Sequence, residues 1–181
     1  MASNKGSMFE RDISKYLSKW LTGSEKPYQY WRMPGSGALA TISEENVGLS
    51  GDVRSLTREA EFLTRIFSLE LKNGYPKTSF WQHFADIKNF GIRDFWSQCC
   101  GDAEKSNKRP MLIYRKKGRK PLVGIDIHTY MEVCVHLGSL SSISMRFKDL
   151  EYVTLELFDF YSFFDIITPD IIKETFKDGE G

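Results

Sequence analysis

The chain has 181 residues, with 25 Lys and Arg against 24 Asp and Glu, so its formal net charge is +1. The composition, 41% hydrophobic and 14% aromatic, excludes disordered and collagen-like proteins and is enough for the core of one domain. No uninterrupted apolar run long enough to cross a membrane occurs, and residues 1–6 are polar, so we expect neither a membrane span nor a secretory signal. The sequence therefore predicts an intracellular, cytoplasmic protein.

The first third of the chain predicts one helix and short strands separated by a glycine-rich loop. Apolar residues recur at helical spacing from Ser7 to Leu21, and Gly23 follows as a stop signal. An aromatic stretch then ends at a Pro-Gly-Ser-Gly run, which breaks regular structure. In chain order the predicted elements are a helix over 7–21, a strand over 28–33, a loop over 38–51, a strand over 52–56 and a segment over 57–66 that fits a helical turn or a hairpin.

The clearest strand follows directly. Large apolar residues at 67, 69 and 71 alternate with polar residues at 68, 70 and 72, which is the period of a strand with one face on the core. Asn73-Gly74 ends the pattern. The sequence therefore predicts that Glu70 and Lys72 project from the same face, roughly 7 Å apart at the backbone.

The remainder of the chain alternates between helical and strand patterns. This mixture predicts one α/β domain, a sheet with helices on both of its faces. We find no internal repeat and no linker. The predicted elements are helices over 80–90 and 92–100, strands over 110–114, 122–127, 130–137 and 143–147, a hydrophobic run over 153–167 and a short polar tail helix.

Charge is unevenly distributed along the chain. Residues 1–72 carry a net charge of +1, residues 73–148 carry +7, and residues 149–181 carry −7. Most of the excess positive charge falls between Lys105 and Lys120, here called the basic segment. A solvated turn and a nucleic-acid-binding surface both account for such a run, and the solvated turn is the commoner explanation for a run by itself.

Three carboxylates and one lysine have the residue types of a metal-dependent hydrolytic site. Asp52 follows a glycine at a predicted strand start, Glu70 and Lys72 share a strand face, and Glu10 borders the apolar stripe of the first helix. Mg²⁺ is usually held by one or two carboxylates together with phosphate oxygens and water, and a lysine beside the water assists its attack. Structural alternatives stay open for each residue: a capping box for Glu10, a turn for Asp52, and a solvent-facing pair for Glu70 and Lys72.

In this order the residues resemble the PD-(D/E)XK nucleases and, among them, the archaeal-type Holliday-junction resolvases. The similarity covers about residues 5–125 and is strongest over the first 72. Gly51 stands where many members have proline. The resemblance is carried by Lys5-Gly6-Ser7-Met8-Phe9-Glu10-Arg11, Arg32-Met33-Pro34-Gly35-Ser36-Gly37, Gly51-Asp52 and Glu70-Leu71-Lys72.

The resemblance implies a restriction-endonuclease-like core in a single nuclease domain over 1–181, with the core at about 5–148 and an acidic extension at about 149–181. It implies catalytic roles for Glu10, Asp52, Glu70, Lys72 and Ser36. Of these, Asp52, Glu70 and Glu10 would hold Mg²⁺, with Mn²⁺ as a substitute. Lys5, Arg11 and Arg32 would contact phosphates, and Gln98 matches a polar residue on the helix after the site strand. To these DNA-binding residues the basic segment adds Arg115, Lys116, Lys117, Arg119 and Lys120.

The implied function is metal-dependent hydrolysis of branched double-stranded DNA at four-way junctions, by a homodimer that presents two sites to two symmetry-related strands. Two alternatives stay open. One is a nuclease of the same superfamily that cuts linear or damaged duplex, and the other is a non-catalytic module that binds branched DNA. We further expect the acidic residues 149–181 to face away from DNA and to disfavour wrong docking by like-charge repulsion.

Overall fold

The computed structural model describes residues 3–33, 51–75, 91–147 and 154–177. Within these ranges the chain forms seven strands and six α-helices, with a 3₁₀ turn at Arg58–Ala60. In chain order they are α1 (Ser3–Thr22), β1 (Tyr30–Arg32), β2 (Val53–Ser55), α2 (Glu61–Ile66), β3 (Phe67–Asn73), α3 (Ile92–Lys105), β4 (Arg109–Arg115), β5 (Leu122–Asp126), α4 (Ile127–Leu137), β6 (Ile143–Arg146), β7 (Thr154–Asp159), α5 (Phe160–Ile166) and α6 (Pro169–Thr175).

Five strands form the central sheet in the order β3-β4-β5-β7-β6. Strands β3 and β4 run parallel, with register from Phe67 opposite Arg109 to Asn73 opposite Arg115. The other pairs in this sheet are antiparallel. Strands β1 and β2 form a separate antiparallel ribbon. The sheet is therefore mixed, and β3 lies at one of its edges.

Hydrophobic clusters cover both faces of the sheet. On one face, alternate residues of β3 such as Leu69 and Leu71 pack with α1, α2, α4, α5 and α6. On the other, residues of α3 such as Trp96 pack against Leu112 of β4 and Leu155 of β7. The predicted α/β fold, a mixed central sheet flanked by helices on both faces, is confirmed, and the arrangement is consistent with a restriction-endonuclease-like core.

The predicted strand over 130–137 is wrong, because these residues belong to helix α4. Asp126 caps this helix by accepting hydrogen bonds from the backbone N–H groups of His128 and Thr129, at 2.9 and 3.0 Å. The β-branched and aromatic composition of the segment is typical of strands, but the N-cap and the helical spacing of Tyr130, Val133 and Leu137 determine the structure.

Most other elements agree with their predicted positions to within a few residues. The ambiguous segment over 57–66 forms the 3₁₀ turn and α2 and not a hairpin, and the predicted helix over 92–100 extends to Lys105. The hydrophobic run over 153–167 divides between β7 and α5. The predicted helix over 80–90 and the loop over 38–50 lie outside the described residues.

The acidic C-terminal segment contributes an inner strand to the sheet. Its strand β7 lies between β5 and β6, pairing Leu122 with Asp159 on one side and Ile143 with Leu157 on the other. Helices α5 and α6 then pack on the same face as α1, where the Trp20 Nε1–H donates to the Ile167 carbonyl at 3.0 Å. No helix among the described residues is long and apolar enough to cross a membrane.

Candidate active site

The central residue of β3, Glu70, contacts Lys72 on the same side of the strand. The Lys72 Nζ lies 2.5 Å from Glu70 Oε1, as the two-residue spacing predicts. Glu70 is only 8% exposed, because α3 covers this face of the sheet. The Gln98 amide of α3 donates a second hydrogen bond to Glu70 Oε1, at 3.2 Å. The carboxylate is therefore held in one orientation from two directions.

Lys72 is a partly buried cation. Burial lowers the pKa of its ammonium, but the charge of Glu70 and the hydrogen bond to it outweigh that effect, so the pKa is raised overall. The Nζ also lies 5.8 Å from the centre of the Phe95 ring, at which distance the ring attracts a cation. Lys72 therefore stays protonated beside Glu70.

Asp52 is fixed to the free edge of β3 by its backbone and its side chain. Its N–H donates to the Leu69 carbonyl at 2.7 Å, and its Oδ2 accepts from the N–H of Leu71 at 2.9 Å. Leu71 lies between Glu70 and Lys72, so the position of Asp52 is set by the strand that carries the other two residues. Although Asp52 and Glu70 are 18 positions apart in sequence, the two carboxylates thus meet at one strand edge.

Gly51 makes this approach possible. Its φ of +97° is in the left-handed region, which favours glycine, and a Cβ there would lie 2.9 Å from the Leu69 nitrogen and 3.0 Å from the Leu69 oxygen. A proline, whose φ is fixed near −65°, would also be excluded from this conformation. The departure from the family pattern at this position therefore has a local structural cause.

Glu10 joins the site from helix α1. Its Oε2 lies 3.5 Å from the Arg32 Nη1 of β1. Burial and then the charge of Asp52 raise the pKa of Glu10, while Arg32 opposes both effects. Arg32, predicted to contact phosphate, is thus paired with a site carboxylate in this structure.

Electrostatic repulsion among the carboxylates indicates which kind of ligand the site favours. Burial, and after it the charge of Asp52, raise the pKa of Glu70 to about 7 although Lys72 opposes the shift. Because the charge of Asp52 raises the pKa values of both Glu10 and Glu70, the three groups interact. A bound cation would relieve this repulsion.

The oxygen-only set suits a hard divalent ion. Across residues 3–33, 51–75, 91–147 and 154–177, no three His, Cys, Asp or Glu side chains form a group that could hold a metal by themselves. Mg²⁺ does not need three, since one or two carboxylates with substrate phosphate and water are sufficient. Asp52 and Glu70 fit that requirement, with Glu10 beside them.

The structure divides the basic segment. Strand β4 takes up residues 109–115, so Lys108 and Arg109 lie at one end of the sheet and residues 115–120 at the other. Arg115 donates from Nε to the Asn73 Oδ1 at 3.0 Å, and its guanidinium lies 4.3 Å from the Phe9 ring centre. Lys116 is half-buried, and Lys117, Arg119 and Lys120 are exposed.

The basic turn over residues 115–120 also lies close to the acidic C-terminal segment. The hydrogen bonds of the Asp159 carboxylate to Ser162 lower its pKa, and the charge of Lys120 lowers it further. Part of the positive charge of this turn is therefore balanced within the protein.

Arg11 follows Glu10 in the chain and its charge opposes the rise in the pKa of that carboxyl, while two other predicted residues are not described. Arg11 is exposed on α1 and donates to the Ser7 carbonyl one turn earlier, at 3.0 Å. Lys5 lies in α1, but its side chain is not described, and Ser36 lies outside the described residues.

Sequence reasoning did not anticipate several contacts of the site. These include the approach of Lys72 to Phe95, the hydrogen bond from Arg115 to Asn73 and the pairing of Arg32 with Glu10. The contact of Lys72 with Phe95 had one signal in the sequence. Phe95 and Gln98 are three residues apart on the helix predicted over 92–100 and therefore lie on the same face of it.

The sequence is similar to known phage proteins. The sequence model of the family described as "Phage putative PDDEXK endonuclease" matches residues 1–173. Protein D14 of Escherichia phage T5 is 24% identical over 125 residues, which are 69% of this chain and 72% of that protein. No solved structure matches the chain.

Proposed function

Since the chain belongs to the phage PDDEXK endonuclease family, we propose that it is a divalent-metal-dependent DNA endonuclease with Asp52, Glu70 and Lys72 at its centre. The observation that carries the proposal is the attachment of Asp52 to the edge of β3 through Leu71. This attachment places a second carboxylate beside the Glu70–Lys72 pair. Two such carboxylates and a lysine are sufficient for metal-assisted hydrolysis of a phosphodiester.

Each residue has a distinct task in this proposal. Asp52 and Glu70 would hold Mg²⁺, or Mn²⁺ in its place, and Glu10 would adjust the charge beside them. When bound, the ion supplies Lewis-acid activation of the phosphate and of water. Lys72 donates hydrogen bonds from its ammonium to the attacking water or to a phosphate oxygen, and its charge offsets the charge that develops on the phosphate. Gln98 and Phe95 hold Glu70 and Lys72 in place.

For the substrate we propose four-way DNA junctions, cut by a homodimer. The support is the N-terminal pattern Lys5-Gly6-x-x-x-Glu10-Arg11 together with Arg32-x-x-Gly35-Ser36-Gly37, which resembles the junction resolvases. A two-fold dimer would present two sites to the two symmetry-related strands of a junction. Because phosphates and branch shape would be recognised and not base edges, sequence preference should be low.

The test is a cleavage assay on a fixed four-way junction and on linear duplex of the same sequence, each with Mg²⁺ and with EDTA. The proposal predicts paired symmetric nicks in the junction that need Mg²⁺ and disappear in Asp52→Asn and Glu70→Gln. Glu104→Gln, an exposed residue of α3, is the matched control and should cut normally. Junction cutting that survives both site variants would refute the assigned site.

The same assay separates the alternatives. Equal cutting of duplex and junction would replace the junction proposal with a duplex nuclease. Salt-sensitive junction binding without cleavage of any substrate would identify a binding module. Sedimentation of the protein with and without the junction measures the proposed dimer.

A further inference from the structure

A basic cleft lies at the end of the sheet where β3 and β4 begin. It has a volume of about 580 Å³, within the range of about 300–1,000 Å³ that small-molecule sites occupy. Its walls come from the end of α2, the turn before β4, helix α4 and the end of α6. Its lining side chains include Arg65, Lys108, Arg109, Glu132, Thr175 and Lys177.

The charge of this cleft favours an anion. Four of its lining side chains are cationic and one is a carboxylate. Lys108 is half-buried, and burial lowers the pKa of its ammonium. An anion in the cleft would offset the solvation that this ammonium loses by burial.

Arg109 forms a fixed wall of the cleft. Its guanidinium donates to Glu132 Oε1 at 3.0 Å and to Thr129 Oγ1 at 3.2 Å, and it lies 4.6 Å from the centre of the Phe176 ring. Phe176 in turn packs edge-on against Phe67, with ring centres 5.5 Å apart. The cleft is therefore built from contacts that pre-organise it, unlike a set of solvated surface lysines.

An unsatisfied hydroxyl gives an independent indication of a ligand. Thr175 lines the cleft, and its buried Oγ1 has no hydrogen-bond partner among the described residues. Leaving a buried polar atom without a hydrogen-bond partner destabilises the folded protein. A ligand with acceptor oxygens, reached by a rotation of the Thr175 side chain, would remove that cost.

We propose that this cleft binds a phosphate of the DNA backbone away from the bond that is cut. The proposal rests on the proposed nuclease function for the identity of the polymer, whereas the preference for phosphate follows from the cleft itself. Arg109 pairs with Phe67, three residues before Glu70, so the cleft and the carboxylates are on the order of 10 Å apart along β3. At about 3.4 Å of helix axis per phosphate along one DNA strand, that distance corresponds to about three phosphates.

Residues 115–120 complete the arrangement. Asn73, opposite Arg115, lies three residues after Glu70, so the backbone of Glu70 is midway along β3 between Phe67, opposite Arg109, and Asn73. A backbone that follows β3 would contact the cleft at one end, the metal site in the middle and the basic turn at the other end. The cleft thus defines a second point of attachment that fixes the direction of the DNA across the site.

The experiment measures DNA affinity of the full chain in EDTA, where no strand is cut, by fluorescence anisotropy at several salt concentrations. The double variant Lys108→Gln with Arg65→Gln should bind DNA several-fold more weakly. The slope of the logarithm of the DNA-binding constant against log[salt] should become shallower by about 1 for each phosphate that is no longer neutralised. Lys105→Gln is the control, because this lysine of the same segment is 77% exposed and pairs with Asp102. Unchanged affinity and slope in the double variant would overturn the proposal.

Two further measurements keep the result unambiguous. The first measurement uses Thr175→Val. Because this change removes an unsatisfied polar atom, the unfolding temperature should stay equal or rise, while DNA binding should weaken. Unaltered DNA binding would count against the proposal. The second measurement is the unfolding temperature in inorganic phosphate. If phosphate raises it only when Lys108 and Arg65 are present, while the double variant binds DNA with unchanged affinity, the cleft is a site for a small phosphate and the proposal of DNA-backbone binding is overturned. A separate measurement tests the nuclease proposal, because that proposal fails if the unmodified protein cleaves no DNA in the presence of Mg²⁺.

Discussion

Asp52 Oδ2 accepts a hydrogen bond of 2.9 Å from the backbone N–H of Leu71, whose neighbours in the chain are Glu70 and Lys72. The three charged residues are therefore positioned by one strand, because the backbone of β3 orients the carboxylate of Asp52 while its side chains provide the other two groups. Displacement of Asp52 from this edge should impair the site without disturbing the rest of the sheet.

Substitution of Gly51 tests this dependence. Gly51→Ala should lower the free energy of unfolding by about 1–3 kcal/mol, because it adds backbone strain and places a Cβ against the Leu69 backbone. Cleavage should fall by more than the loss of stability explains, since Asp52 moves. Gly74→Ala is the matched control: its φ is +90°, but nothing lies within 4 Å of the added Cβ. Equal loss of stability and activity in both variants would contradict the role assigned to Gly51.

The metal-free protein should be more stable in mild acid than in mild base. Burial and the charge of Asp52 raise the pKa of Glu70 from 4.5 to about 7. The folded state therefore holds this proton more tightly than the unfolded chain, and the resulting stabilisation, fully present below pH 4.5, is lost as the pH rises through about 7. Denaturant titrations in EDTA should show a loss of roughly 1–3 kcal/mol between about pH 5 and pH 8 that is largely absent in Glu70→Gln. The same slope in both proteins would show that another group is responsible.

Gln98 should act as a positioning residue for Glu70. Its hydrogen bond to Oε1 stabilises the ionised carboxylate, so Gln98→Leu should raise the pKa of Glu70 further. The rising limb of the pH profile of kcat/KM should then move to higher pH by about half a unit to one unit. Ser97→Ala, the exposed preceding residue of α3, should leave the profile unchanged. A lower rate with an unshifted profile would argue against this role.

Arg32 has two possible roles, which one variant distinguishes. The structure pairs it with Glu10 at 3.5 Å, so Arg32→Met should raise the pKa of Glu10 and shift the pH profile of cleavage while DNA affinity stays the same. A phosphate contact would instead weaken DNA binding and reduce the magnitude of the salt slope by about 1. Arg54→Met, an exposed residue of β2, controls for loss of a positive charge nearby. Affinity loss with an unshifted profile would rule out the Glu10 assignment.

Sequence periodicity was sufficient for the helices and strands that have one apolar face, such as α1, β3 and α3, because their spacing reflects burial directly. It failed for α4, where the strand-like residues Val133 and Val135 lie in a helix that begins at the Asp126 cap. Glu70 and Lys72 were predictable as neighbours because they lie two positions apart on a strand. The burial of these two side chains was not predictable, because the helix that covers the polar face of β3 is α3, which begins only at Ile92.

The features of the site that the sequence did not predict depend on contacts between residues distant in sequence. The position of Asp52 depends on hydrogen bonds to the backbone of Leu69 and Leu71. These residues lie on β3, which strand β2, a 3₁₀ turn and a helix separate from Asp52, and no local pattern encodes the bonds. The division of the basic segment follows from the pairing of β4 with β3, which converts adjacent charges into two separate groups. Neither the net charge nor the charge of each segment predicts such separations.

Because strand β7 belongs to the acidic C-terminal segment, this segment is needed for folding of the central sheet. Within the described residues, β6 pairs only with β7, and β5 pairs with β7 on the side away from β4. A chain that ended before Thr154 would lose an inner strand and expose the apolar side chains of Val123 and Met145, which are buried in the intact protein. The segment that supplies none of Glu10, Asp52, Glu70 and Lys72 is thus a condition for their assembly. A nascent chain cannot complete this sheet until β7 has been synthesised.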